Sequence, residues 1–129
     1  EEKAQVYPKT PSGMPGVETS LPLMLTAAEE GRCSVAQVVN WMSTAVASAY
    51  SIHNKGLIAP GYDADLVLVD LNSRKKVRRE ELLTKCGWSP FEGWNLTGWP
   101  VTTIVGGEIV YHKGELNTEI RGKPLHFEH

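Results

Sequence analysis

Asp63 and Asp65 are separated by one residue, so in an extended strand both carboxylates leave the same face and could share a cation or divide acid and base roles. They also follow Pro60-Gly61, where aspartates commonly bond turn amides, and that turn role is the expectation for Asp63. Glu18 and Glu92 lie close to glycines in loop surroundings. Each is a candidate ion-pair partner, and nothing in their spacing makes either catalytic. His53, His112, His126 and His129 form neither HxH nor HExxH, and the closest pair sits at the end of the chain, so no metal site is expected from them. Cys33 and Cys86 make no CxxC pattern, which leaves free thiols as the expectation. No Gly-x-Ser-x-Gly, P-loop or GxGxxG occurs. These residues build no self-contained active site.

Pro15-Gly16 offers a different chemistry. A glycine in a rigid loop lets a carboxylate approach its backbone N–H with no side chain in the way. Thr19 to Pro22 then opens a helix whose first amides favour anions. An anion could dock there; taken on the residues alone, a simple turn is the preferred reading.

The elements that would position these groups follow from pattern. Residues 1–16 carry Pro8, Pro11, Gly13, Pro15 and Gly16, which break any helix and leave a long loop. Residues 19–30 have Leu21, Leu25 and Ala28 at helical spacing, with Gly31 placed to end the helix. Ser34 with Gln37 is a capping box for a second helix bearing Val35, Val38, Val39 and Met42. A third run is expected at 45–50 after a break near Ser43-Thr44. From Asn54 the pattern changes to strands and turns, and a domain boundary is expected at 51–54. A turn at 60–63 leads to a buried strand at Leu66 to Val69. Gly106-Gly107 between the β-rich runs 101–105 and 108–111 signals a hairpin. Between these strands a solvated basic loop at 74–79, a short helix at 80–85 and an aromatic loop at 87–99 are expected. Residues 117–129 read as a tail with one edge strand at about 124–127.

At 129 residues with a formal charge of −2, the chain is one domain's length and needs no staple to bury a core. Arg74-Lys75-Lys76 and Arg78-Arg79 run at once into Glu80-Glu81, so no nucleic-acid surface is expected. No apolar run reaches membrane-spanning length and no signal-peptide core occurs, which gives no membrane role and a cytoplasmic location as expectations. The first residue is Glu1 rather than methionine, as in a chain cut from something longer.

Four segments together resemble the amidohydrolase superfamily and, within it, the dihydroorotase family. Gly13 to Thr19 followed by Leu21-Pro22-Leu23 is similar to that family's loop and helix after the eighth barrel strand. Lys55 to Asp70 resembles the returning strands of the superfamily's small β-sandwich. Ser89-Pro90-Phe91-Glu92-Gly93 resembles an SPF motif shared with hydantoinases and allantoinases, and Val105 to Tyr111 resembles the closing hairpin. Thr44-Ala45 departs from the Asn-Pro usual before the last barrel helix.

The resemblance implies an α+β fragment. Residues 1–54 would be the loop and terminal helices of a (β/α)8 hydrolase barrel, and residues 55–129 the C-terminal part of a composite β-sandwich plus tail. It implies the C-terminal portion of a metal-dependent cyclic amidohydrolase interconverting N-carbamoyl-aspartate and dihydroorotate in pyrimidine biosynthesis, with metal-bound hydroxide attacking the ring amide. Zinc is expected in the full-length enzyme and none in this chain. The HxH, the carboxylated lysine, the later histidines and the strand-eight aspartate would all precede Glu1, and Glu1-Glu2-Lys3 resembles the residues just after that aspartate. Pro15 and Gly16 match the positions that hold the substrate's carboxylate through backbone contacts; no catalytic residue is carried over. The chain alone is expected to be inactive, exposing apolar helix stripes that favour dimerisation or strand exchange. The full-length protein would be a homo-oligomer. The alternatives are a non-catalytic assembly module docking on a partner such as aspartate carbamoyltransferase, or the tail of a hydantoinase or allantoinase.

Overall fold

A computed structural model describes residues 4–10 and 12–127. Glu1 to Lys3, Pro11 and His129, on which parts of the expectations fell, lie outside the described residues. The first helix, α1, spans Val17–Glu29 and so begins two residues before the apolar spacing suggested. Pro22 sits inside it and has no N–H to donate. The hydroxyl of Thr26 donates to the Pro22 carbonyl at 2.7 Å. Gly31 ends α1 as expected, with φ +75°. Arg32 N donates to Ala27 O and Gly31 N to Ala28 O, both at 3.0 Å. That pair of bonds is a Schellman closure, which Gly makes without a Cβ penalty.

The capping box is present as read: Gln37 N donates to Ser34 Oγ at 3.2 Å and Ser34 N to Gln37 Oε1 at 2.9 Å. It starts α2 at Val35–Val39. The expected break at Ser43-Thr44 does not occur. A π-helical turn, Asn40–Thr44, carries the chain directly into α3, Ala45–Ala49. Ala45, unlike a proline, keeps its N–H and donates it to Asn40 O, which lets the helix run through. Val38 and Ala47 are buried along this rod, while Val39, Trp41, Val46 and Tyr50 stay exposed.

The remainder is one antiparallel sheet in the order β1-β2-β3-β4, with β1 at Leu66–Lys76, β2 at Asn95–Val105, β3 at Glu108–His112 and β4 at Glu115–Leu116. The distant segments meet, Leu66 opposite Ile104 and Leu68 opposite Thr102. Gly106 and Gly107 take φ +58° and +88°, the two positive values a tight hairpin turn requires, and set Val105 opposite Glu108.

Several expectations fail here. Strand β1 is longer than the apolar run: the ladder continues to Arg74 opposite Thr97 and Lys76 opposite Asn95, so the basic loop is half strand, and the aromatic loop turns into β2 at Asn95. Nor is β1 buried, with Val67 47% and Leu68 52% exposed. The reason is that α1 packs on β2 rather than on β1. The helix at 80–85 is reduced to a 3₁₀ turn, Arg79–Glu81. The edge strand at 124–127 is reduced to a single bridge between Ile52 and Phe127, and the short strand β4 was not anticipated.

The core is small and lies where α1 crosses β2: Leu25, Leu96 and Val77 are buried with Thr19 and Pro22. Gly98, with φ +81°, brings the β2 backbone against α1, and a Cβ built there would stand 2.6 Å from Leu25 Cβ. At the adjoining residues, Thr97 N donates to Thr26 Oγ1 at 2.9 Å. Glu29 closes the same face by pairing with Arg74. The Thr97 hydroxyl first, and then the Arg74 guanidinium, hold the Glu29 carboxyl below its ordinary range.

Candidate functional site

Pro15 and Gly16, both half-buried, form the ledge that leads into α1. Gly16 is the N-cap residue at φ −126° and ψ −14°, and no side chain caps the helix there. Gly16 O accepts from Ser20 N at 2.9 Å and from Thr19 N at 3.2 Å. The nearby hydroxyls point at carbonyls instead of amides: Thr19 Oγ1 donates to Gly16 O at 3.4 Å and Ser20 Oγ to Val17 O at 3.1 Å. The amides of Val17 and Glu18 precede the first helical bond and have no intrahelical acceptor by geometry. They stand at the positive end of the helix dipole. A Cβ built on Gly16 meets nothing within 4 Å. The ledge therefore presents backbone donors, open space and no competing side chain, which is suited to a carboxylate.

Among the described residues Glu18 serves backbone amides instead of the ion pair envisaged for it. Its Oε1 accepts from Leu83 N at 3.0 Å, and its Oε2 from Leu83 N and Thr84 N, each at 3.1 Å. This explains the missing helix at 80–85, because Leu82 leaves the 3₁₀ turn in extended geometry at φ −76° and ψ 132° and the next two amides turn to Glu18. Spacing could not have revealed the contact, since donor and acceptor are 65 and 66 residues apart. The only local signal was an acid in the first turn of a helix. Beside the clamp is a cavity of about 220 Å³, lined by Glu18, Lys75, Arg78, Leu83, Trp99 and Tyr111 among others; Pro15 and Gly16 do not line it.

The two aspartates do share a cation, and it is the chain's own Lys55. Lys55 Nζ lies 2.8 Å from Asp63 Oδ2 and pairs also with Asp65. Asp65 accepts in addition from Gly106 N at 2.7 Å, which joins this loop to the β2–β3 turn. Hydrogen bonds to Asp63 and then Asp65 raise the Lys55 pKa. The Lys55 bond and then the Gly106 amide lower that of Asp65. The expected turn role of Asp63 gives way to this pairing, while the turn itself closes by Tyr62 N donating to Ala59 O.

Ser89 of the SPF segment is buried and accepts from Phe91 N at 3.2 Å, shaping the bend. Val77 pins the same loop, accepting from Gly93 N at 2.9 Å and donating to Trp94 O at 2.8 Å. Among the histidines, His112 Nδ1 lies 2.9 Å from Thr102 Oγ1, and His53 N donates to His126 O. Cys33 and Cys86 are free thiols. Among the described residues no group of three or more His, Cys, Asp or Glu is arranged to hold a metal ion, so these residues do not fit a metal centre. No helix of the described residues is long and apolar enough to cross a membrane.

An α+β chain whose antiparallel sheet carries a helix with an open, uncapped start falls within a known class: residues 13–110 match the amidohydrolase family, and the chain belongs to it. Within that family its sequence is similar to those of dihydroorotases. That of Methanothermobacter thermautotrophicus is 36% identical over 129 residues, 100% of this chain and 30% of that protein. That of Halobacterium salinarum is 42% identical over 110 residues, 85% of this chain and 26% of that protein. Among solved structures, the L-hydantoinase (dihydropyrimidinase) from Arthrobacter aurescens is similar with a TM-score of 0.80 at 39% identity, covering 85% of this chain and 25% of that one. A dihydropyrimidinase from Brevibacillus agri is similar with a TM-score of 0.80 at 29% identity, covering 84% and 24%. The chain thus spans less than a third of the length of the curated relatives it matches.

Proposed function

We propose that this chain is the C-terminal part of a cytoplasmic dihydroorotase, which as a full-length enzyme interconverts dihydroorotate and N-carbamoyl-aspartate in pyrimidine biosynthesis. Identity to dihydroorotases along the whole chain supports the assignment. The observation that carries it is the Pro15-Gly16 ledge, an uncapped helix start at a glycine whose Cβ position is open. In this reading residues 1–54 are the loop and last helices of a barrel, and residues 55–129 complete a small β-sandwich. The Pro15-Gly16 segment holds the substrate's carboxylate through backbone N–H groups at Gly16 and Val17, Pro15 having none to donate, and so distinguishes dihydroorotate from uncharged cyclic amides. The family's bound metal, zinc in this proposal, supplies the hydrolytic chemistry from residues outside this chain. The chain by itself is inactive.

A second reading, the tail of a hydantoinase-type enzyme, draws on the 39% identity and 0.80 TM-score to the Arthrobacter aurescens protein. The test is turnover of dihydroorotate, dihydrouracil and hydantoin by the full-length protein supplied with Zn²⁺, beside the isolated chain. Turnover of dihydroorotate by the full-length protein alone is expected. Preference for the uncharged rings would replace this reading with the second, and turnover of none would leave a non-catalytic assembly module.

A further inference from the structure

We infer that Glu18 is a positioning residue for the Pro15-Gly16 ledge: held by the amides of Leu83 and Thr84, its carboxylate leaves the first turn of α1 uncapped for an incoming carboxylate. The inference rests on the proposal that this ledge receives the substrate. An acid in the first turn of a helix has an obvious local use, since it can fold back on the N-terminal amides and satisfy them, as the reciprocal half of a capping box does. Ser34 and Gln37 do this at α2 in the same chain. At α1 no side chain does so.

Both Glu18 oxygens are engaged elsewhere, in three bonds of 3.0–3.1 Å to consecutive amides of a segment that has left its 3₁₀ turn. Thr19 and Ser20, the other oxygen-bearing residues of the turn, donate to Gly16 O and Val17 O. Among the described residues, the side-chain oxygens of the first turn, on Glu18, Thr19 and Ser20, are therefore turned away from its amides. Glu18 has two consequences at once. It withholds a competing carboxylate from the ledge, and it ties the start of α1 to the loop that precedes β2, fixing the direction in which the Val17 and Glu18 amides point. Both act on binding of a negatively charged group and neither touches the reacting ring.

The test is steady-state kinetics of the full-length enzyme with dihydroorotate for Glu18→Ala, Glu18→Gln and Gly16→Ala, together with hydrogen exchange across residues 82–85. Loss of charge-assisted bonds in Glu18→Ala is expected to raise KM about tenfold with kcat within about twofold, and to speed exchange at Leu83 and Thr84. Glu18→Gln, which keeps one acceptor oxygen, is expected to show a smaller KM rise of about threefold and serves alone if the alanine variant does not fold. Faster exchange with unchanged KM, while Gly16→Ala raises KM, would overturn the inference and leave Glu18 a plain structural tie. Unchanged KM in Glu18→Ala and Gly16→Ala alike would defeat the underlying carboxylate reading and the inference with it. A fall in kcat at constant KM would also overturn it, because the residue would then act on the chemical step.

Discussion

Thr26 of α1 and Thr97 of β2 are joined through the Thr97 amide, which donates to the Thr26 hydroxyl at 2.9 Å while that hydroxyl donates to Pro22 O at 2.7 Å. One side chain thereby satisfies the sheet and the proline-containing helix together. Thr26→Val keeps the shape and removes both bonds, leaving the Thr97 amide of a buried residue without its acceptor. Urea unfolding is expected to show a loss of about 1–3 kcal/mol, and Thr26→Ser should recover most of it.

Gly98 predicts a second, independent weakness in the same seam. Its φ of +81° and the 2.6 Å separation from Leu25 Cβ mean that alanine there meets both backbone strain and a fixed neighbour. Gly98→Ala is expected to cost about 1–3 kcal/mol from overpacking alone. Leu25→Ala keeps the Cβ but removes the Cδ1 and Cγ that would stand 2.8 and 3.3 Å from the new methyl, so the double mutant should be somewhat less damaging than the two single losses added together, read from a double-mutant cycle.

The Lys55, Asp63 and Asp65 cluster gives stability a defined pH window. The Asp65 pKa is lowered from an ordinary 3.8, so its contribution is complete above that value and fades as pH falls through the lowered one. The Lys55 pKa is raised from an ordinary 10.5, so its contribution is complete below 10.5 and fades as pH rises through the raised value. Both side chains are partly exposed, and the effect is modest. Lys55→Met is expected to flatten both limbs of an unfolding-midpoint profile against pH; a profile that keeps its acid limb would assign that limb to other carboxylates.

What was legible in the sequence was local. The Ser34–Gln37 box, the Gly31 stop and the Gly106-Gly107 hairpin are each decided within a few residues, and each formed as read. What failed depended on partners far along the chain. Residues 74–76 became strand because Asn95 to Thr97 offered a ladder. The helix at 80–85 did not form because Glu18 took two of its amides. The missed β4 had a faint signal in Lys113-Gly114, a two-residue turn at φ +47° and +99° that sets His112 opposite Glu115. At the candidate site, the Pro15-Gly16 segment was identifiable from residue type, while the clamp on Glu18 was visible only in the fold.

Gly16 makes the site open to a clean steric probe. Because a Cβ there meets nothing within 4 Å and its φ of −126° suits any residue, Gly16→Ala should fold, with an unfolding free energy lowered by about 1 kcal/mol or less, since alanine is a poorer N-cap than glycine. Its larger effect should appear when a ligand has to approach the backbone.

The most direct test of the account is a crystal structure of the full-length protein with dihydroorotate bound. A substrate carboxylate oxygen about 2.7–3.2 Å from a backbone N–H at Gly16 or Val17 is the expected result. A carboxylate bound elsewhere, with the ledge at Pro15-Gly16 untouched, would contradict it.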